Sequence, residues 1–150
     1  MAYIWNIKKQ KRANLWSRGD RAVFGGGYAP VLTNVIQYFS IASTGDAIDF
    51  GNLTKNKADE GAYANTIRGI FSGGKTAPSQ GTSPSPDSDS HIAYITIAST
   101  GNAATFGDMT VIKRGCGGGF GNDTRGMPSV GGYAEPASSN VIDYGTLSTL

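Results

Sequence analysis

Apolar and polar residues alternate along this chain in short runs, and the runs are rich in β-branched and aromatic side chains. "NVIQYFSIAS" at 34–43 and "HIAYITIAS" at 91–99 both read as strands. Each leads into a Gly-polar turn, "TGD" or "TGN", and then into "AIDF" or "AATF", which is the pattern of a hairpin. "FGNLT" and "FGDMT" follow and read as another turn leading into a further strand. A short apolar "AVF" or "GIF" lies before a glycine run. No segment keeps a 3.6-residue period over three turns, so the pattern predicts strands throughout.

These runs belong to a repeat. The first copy reads "RAVFGGGYAP…NVIQYFSIASTGDAIDFGNLT" and the second "RGIFSGGKTAP…SHIAYITIASTGNAATFGDMT". A third begins as "RGMPSVGGYAEPASSNVIDYGTLSTL". Arg21, Arg68 and Arg125 mark equivalent points, followed by the glycine pairs that contain Gly26, Gly73 and Gly131. Tyr38, Tyr94 and Tyr144 come next, and Phe50 and Phe106 close the two complete copies. The interval is 47 residues from Arg21 to Arg68 and 57 from Arg68 to Arg125, most of the excess lying in the Pro/Ser/Asp stretch at 76–90. The 26 residues from Arg125 and the 20 before Arg21 together supply nearly one more period.

The expected architecture is therefore all-β, in one domain over 1–150, with about four strands per unit. The units span 21–67, 68–124, and 125–150 completed by 1–20, so that the N- and C-terminal segments build one sheet. Units of this length suit β-propeller blades. A β-prism or β-trefoil with threefold pseudosymmetry is the alternative. Three blades fall short of the roughly 4 to 8 that close a ring, so a propeller requires chains to share one.

Composition agrees with this reading. The 22 glycines are about twice ordinary usage, as many tight turns demand. A formal charge of +2 is too small for the whole surface to bind nucleic acid, and the run Lys8, Lys9, Lys11 and Arg12 reads as a solvated strand end or turn. No apolar stretch is long enough for a membrane helix. The opening "MAYIWNIKKQKR" lacks the apolar core of a secretory signal, and a lone cysteine, Cys116, fits a reducing compartment.

Several motifs suggest chemistry, and each is better explained by the repeat. "GIFSGGKT" at 69–76 fits a phosphate-binding loop. That loop needs a helix after it, whereas "APSQGTSPSPDSDS" follows here, and the other copies place Tyr28 and Tyr133 where Lys75 stands. "DSDSH" (Asp87, Asp89, His91) alternates possible metal ligands but lacks the glycine and distal glutamate of a calcium loop. His91 takes the slot held by Val35 and Val141, so it reads as a strand residue. No nucleophile elbow is present. Asn52 and Asn122 match the glycosylation pattern but read as turn residues. The repeated arginines read as ties between units. No catalytic, cofactor or metal residue is assigned.

The unit, above all "IASTGDAIDFGNLT" and "IASTGNAATFGDMT", resembles the kelch-like repeats of virion structural proteins of tailed bacteriophages, especially marine and cyanobacterial ones. The resemblance covers essentially the whole chain, although no Trp follows the double glycine in either complete copy as it does in cellular kelch repeats. It implies a non-enzymatic protein of the virion, assembled in the host cytoplasm: a capsid decoration or tail-associated subunit. Its partners would be itself, as a homo-oligomer, and other virion proteins such as capsid or tail. It would have no cofactor and no nucleic-acid or membrane partner. The alternative expectation is a lectin-like, carbohydrate-binding module that meets a host surface glycan through aromatic and Asn/Asp turn residues.

Overall fold

In a computed structural model the described residues are 2–4, 20–28, 30–76, 88–114, 118–127, 133–134 and 140–147. They form an all-β structure of antiparallel sheets without a helix. The first sheet runs β1 (Ala2–Ile4), β2 (Arg21–Gly25), β3 (Thr33–Ser40) and β4 (Ile48–Lys57), in that order across the sheet. The second repeats it with β5 (Gly61–Ala64), β6 (Arg68–Ser72), β7 (His91–Thr96) and β8 (Ala104–Asp108). A two-residue strand, β9 (Lys113–Arg114), comes next. The third sheet has three strands among the described residues: β10 (Phe120–Gly121), β11 (Arg125–Met127) and β13 (Gly145–Thr146). β9 pairs separately with β12 (Tyr133–Ala134).

The sheets do not begin where the sequence units do. In each of the three stacked sheets the arginine strand is second, and the strand before it closes the preceding unit. Ile4 pairs with Val23, Tyr63 with Ile70, and Phe120 with Met127, all at one register. The segment at 2–4 is thus the tail of a repeat, but it joins the first sheet. The expectation that 1–20 and 125–150 build one sheet is corrected for the segment 2–4: β1 is bonded to β2, and among the described residues the third sheet is made from strands within 120–146. The reason is local. β5 and β10 each reverse through a short turn onto the arginine strand that follows, and β1 takes the same place beside β2, so a tail pairs forward along the chain.

A second correction concerns "FGNLT" and "FGDMT". β4 runs straight through 50–54, and β8 runs through Phe106 and Gly107 to Asp108 with the bend only at 110–111 before β9, so Phe50-Gly51 and Phe106-Gly107 lie inside strands. Both are β-bulges. Ile36 pairs with Gly51 and Gln37 with Asp49, which skips Phe50; Ile92 pairs with Gly107 and Ala93 with Thr105, which skips Phe106. A bulge accommodates one extra residue by bending the strand. The φ of Gly51 and Gly107, +146° and +155°, is open to glycine and closed to side chains.

The sheets stack face to face, with one apolar layer at each junction. Between the first and second sheets lie Val23, Ile36, Phe50 and Leu53 against Ala62, Phe71 and Ile95. Between the second and third lie Tyr63, Ile70, Ile92 and Met109 against Leu147. Each fully buried Phe or Ile contributes about 1.5–3 kcal/mol. Short ties reinforce the layers. Gly101 and Ala103 donate backbone N–H bonds to the carbonyls of Phe50 and Asn52 at 2.7 and 2.8 Å, which fastens the hairpin turn of the second sheet to the bulge of the first.

At the second junction Tyr63 is buried where Gly119 and Gly126 leave room for its ring. A Cβ on Gly126 would overlap the Tyr63 ring outright. Gly126→Ala is expected to lower stability by about 1–3 kcal/mol through this overpacking, as read from the midpoint of urea unfolding at unchanged slope.

Candidate functional site

The repeated residues converge on one device. In the first sheet the guanidinium of Arg21 lies 4.6 Å from the centroid of the Tyr38 ring, and the Tyr38 ring meets Phe50 edge-on at 5.8 Å. In the second, Arg68 lies 5.3 Å from Tyr94, which meets Phe106 edge-on at 6.3 Å. The bulge carries each Phe into this position. The hairpin register sets the rest, because Val23 opposes Tyr38 and Ile70 opposes Tyr94. Arg and Tyr therefore sit diagonally on one face of the sheet.

That face looks at the next sheet. Arg21 Nη1 donates to the Ile97 carbonyl at 2.8 Å, and Arg68 Nη1 donates to the Leu147 carbonyl at 2.9 Å. Ile97 and Leu147 are equivalent residues, one strand position past the Arg–Tyr hairpin of their own sheets. Their N–H groups donate to Ile67 and Thr124, the residues just before Arg68 and Arg125, as that of Ile41 does to Asp20 before Arg21. The latch is thus the same bond made twice, from sheet one to two and from two to three. Arg125 stacks on Tyr144 at 5.1 Å in the same way.

The glycine pair has its own task. Gly26 and Gly73 take φ of +63° and +66°, the left-handed region where glycine is favoured. A Cβ on Gly26 would meet the Lys57 carbonyl, and one on Gly74 would meet that of Ala58. The pairs let the end of β4 pass against both loops, and Gly27 N–H bonds the Lys57 carbonyl at 2.7 Å. Gly131 lies outside the described residues, as do Cys116, Asp87, the basic run Lys8, Lys9, Lys11 and Arg12, and 77–87 of the long loop.

A cluster of buried charge sits at the first junction. Lys57 is buried and spends its ammonium on Asp89 at 2.8 Å and on the carbonyls of Gly73 and His91, each at 3.2 Å. With those three bonds made, Lys57 has no donor left for Glu60, whose two carboxyl oxygens are buried with no hydrogen-bond partner among the described residues. Burial pushes Glu60 up to about 7, against the pull of Lys57. Burial alone would also raise Asp89, but its bonds to Lys57, the His91 N–H and Lys55 hold it below the usual carboxylate range.

His91 is a residue of β7. Burial and the charges of Lys57 and Lys55 lower its pKa, so the ring is neutral at pH 7. Its Nε2 lies 3.0 Å from Thr54 Oγ1, which joins the second sheet to the first. Asp108 lies 3.8 Å from its Nδ1 and is largely exposed, too distant for the hydrogen bond that would orient a general base. Asp89 is held by two lysines, and no group of three metal-binding side chains gathers among the described residues. In "GIFSGGKT", 69–72 is strand, and Lys75 pairs with Asp59 at 3.1 Å beneath Tyr28. Asn122 is a turn residue, its Oδ1 accepting from the N–H groups of Thr124 and Arg125. Asn52 instead sits within β4, bonded to Asn102.

No family model matches the chain, and no curated protein matches it.

Sequence reasoning found the Arg, Tyr and Phe of the latch through their recurrence. It missed the acceptors, which are backbone carbonyls and leave no residue signature. It also missed Lys57 and Glu60, since "NKADEG" has the composition of an exposed turn.

The Glu60 shift fixes a pH dependence. Its folded pKa of about 7 exceeds the ordinary 4.5, so the folded state holds the proton more tightly. The associated stability is full below about pH 4.5 and lost as pH rises through about 7, a span on the order of 3 kcal/mol. Glu60→Gln is expected to flatten stability across that window, measured by denaturant titrations at successive pH values.

Proposed function

We propose that this chain is a virion structural protein of the tailed-phage kind, a capsid decoration or tail-associated subunit that works by assembly and surface contact and performs no chemistry. The observation that carries this reading is where the repeated residues go. Arg21 and Arg68, the motif's most polar members, spend their donors on the backbone of the adjoining sheet, and the aromatic residues brace them. A repeat built around ligands would turn such groups toward a cleft; here they hold sheet to sheet. The similarity of the unit to kelch-like virion repeats points the same way.

The finer arrangement we favour is propeller blades. Like strands pack on like strands, β1 on β5 and β5 on β10, and β4 on β8 at the other edge. Each sheet follows the last in the same sense, which supports successive blades better than the three-way closure of a prism or trefoil. Purified protein examined by light scattering and negative-stain imaging is expected to be a homo-oligomer with a bladed, ring-like outline. A strict monomer at every concentration would contradict the assembling role.

A further inference from the structure

The two ends of the stack are matching halves of a junction that the chain already makes twice. Forward-pointing positions, toward the next sheet, that are covered in the second sheet are exposed at their equivalents Phe120, Ile142 and Tyr144 in the third. Tyr63 is 3% exposed and its equivalent Phe120 is 69% exposed; Ile92 is 7% exposed and Ile142 is 57%. Tyr144 is likewise exposed, where Tyr94 is half-buried against its neighbour. Arg125 stands beside them, stacked on Tyr144, and among the described residues no carbonyl accepts from its guanidinium.

The backward-pointing positions show the reverse. Ile97, which receives the Arg21 latch, is 3% exposed, and Leu147 is buried in the same role. Their equivalent in the first sheet, Ile41, is 46% exposed. Around it lie exposed Val35 and the stacked pair Phe24 and Phe39, at ring positions that in the second sheet are Phe71 and Ile95, both buried by the first. The Ile41 N–H is already bonded to Asp20, as the Ile97 N–H is to Ile67, so its carbonyl is held in the orientation the latch requires.

We infer that the outward face of the third sheet (Phe120, Arg125, Ile142, Tyr144) docks on the outward face of the first sheet (Phe24, Val35, Phe39, Ile41) of a second copy of this chain, with Arg125 donating to the Ile41 carbonyl. The occupant is specified by the internal junctions: each face displays the side chains that another sheet of this same repeat covers. The contact is heterologous, one end meeting the other, and such contacts close into rings or run on as filaments. Two copies bring the sheet count to about six, within the range that closed propellers use. This rests on the assembling role proposed above and adds which surfaces perform it.

The test uses end-blocked variants of the full chain. Ile41→Asp spoils the first-sheet face and Arg125→Glu the third-sheet face, with Ile142→Asp as a second block of the latter. All three residues are exposed, so circular dichroism should show each variant folded. Each variant alone is expected to lose self-association at least about tenfold, since an interfacial charge reversal or buried charge costs that much or more. Mixing Ile41→Asp with Arg125→Glu, one of them mass-labelled, is expected to restore a one-to-one heterodimer in native mass spectrometry, because each retains one intact face. If the wild-type chain oligomerises and the variants do so equally well, this interface is wrong while the assembling role stands. If the variants dissociate but do not complement, the contact joins like faces, and the head-to-tail assignment is overturned. A wild-type chain that never associates removes the assembling role itself.

Discussion

Everything in this molecule is arranged around one bond: an arginine on one sheet donating to a main-chain carbonyl on the next. A hydrogen bond from a charged donor is worth about 1.5–3 kcal/mol, and the ring beneath the guanidinium adds about 0.5–1 kcal/mol. Its geometry makes demands in every direction. The Tyr must lie diagonally across the hairpin, which fixes the register. The Phe must leave the ladder to brace the Tyr, which requires a bulge and the glycine behind it. The accepting residue must be the first past its strand, which makes its N–H bond to the residue before the following arginine. One contact thereby accounts for most of the recurring letters.

Those letters were legible because they recur. The all-β class, the strands around Tyr38 and Tyr94, and the equivalence of the three arginines all follow from period and alternation. What misled was framing. A repeat can be cut anywhere in its period, and starting each unit at arginine hid the fact that β5 and β10 belong to the sheet that follows them. The same framing assigned the segment at 2–4 to the third sheet, whereas antiparallel pairing with β2 places it in the first. The bulges were hidden for a different reason: Phe-Gly followed by Asn or Asp has turn composition, and only the cross-strand register reveals that the strand continues.

The buried charges at the first junction escaped sequence reasoning because "NKADEG" has the composition of an exposed turn, and only the packing of the second sheet on the first buries Lys57 and Glu60. Lys57 satisfies two carbonyls and Asp89, while Glu60 has no hydrogen-bond partner among the described residues. A repeat tolerates such an addition because each sheet touches only its neighbours, so local costs stay local. The same one-dimensional logic gives the ends of the stack their character. The sheet in the middle of the series has both faces covered, and each terminal sheet keeps one face whose repeat residues are exposed. The exposed aromatics of the third sheet are the repeat's ordinary contact residues at a position where the described chain places no further sheet.

The most direct measurement compares Arg68→Ala with Arg125→Ala in dilute monomer, by urea unfolding. Both substitutions remove an arginine stacked on a tyrosine, and among the described residues only Arg68 is latched to the next sheet's carbonyl. The account predicts that losing Arg68 costs about 1.5–3 kcal/mol more than losing Arg125. Equal costs for the two would mean that the inter-sheet bond does not hold the stack together.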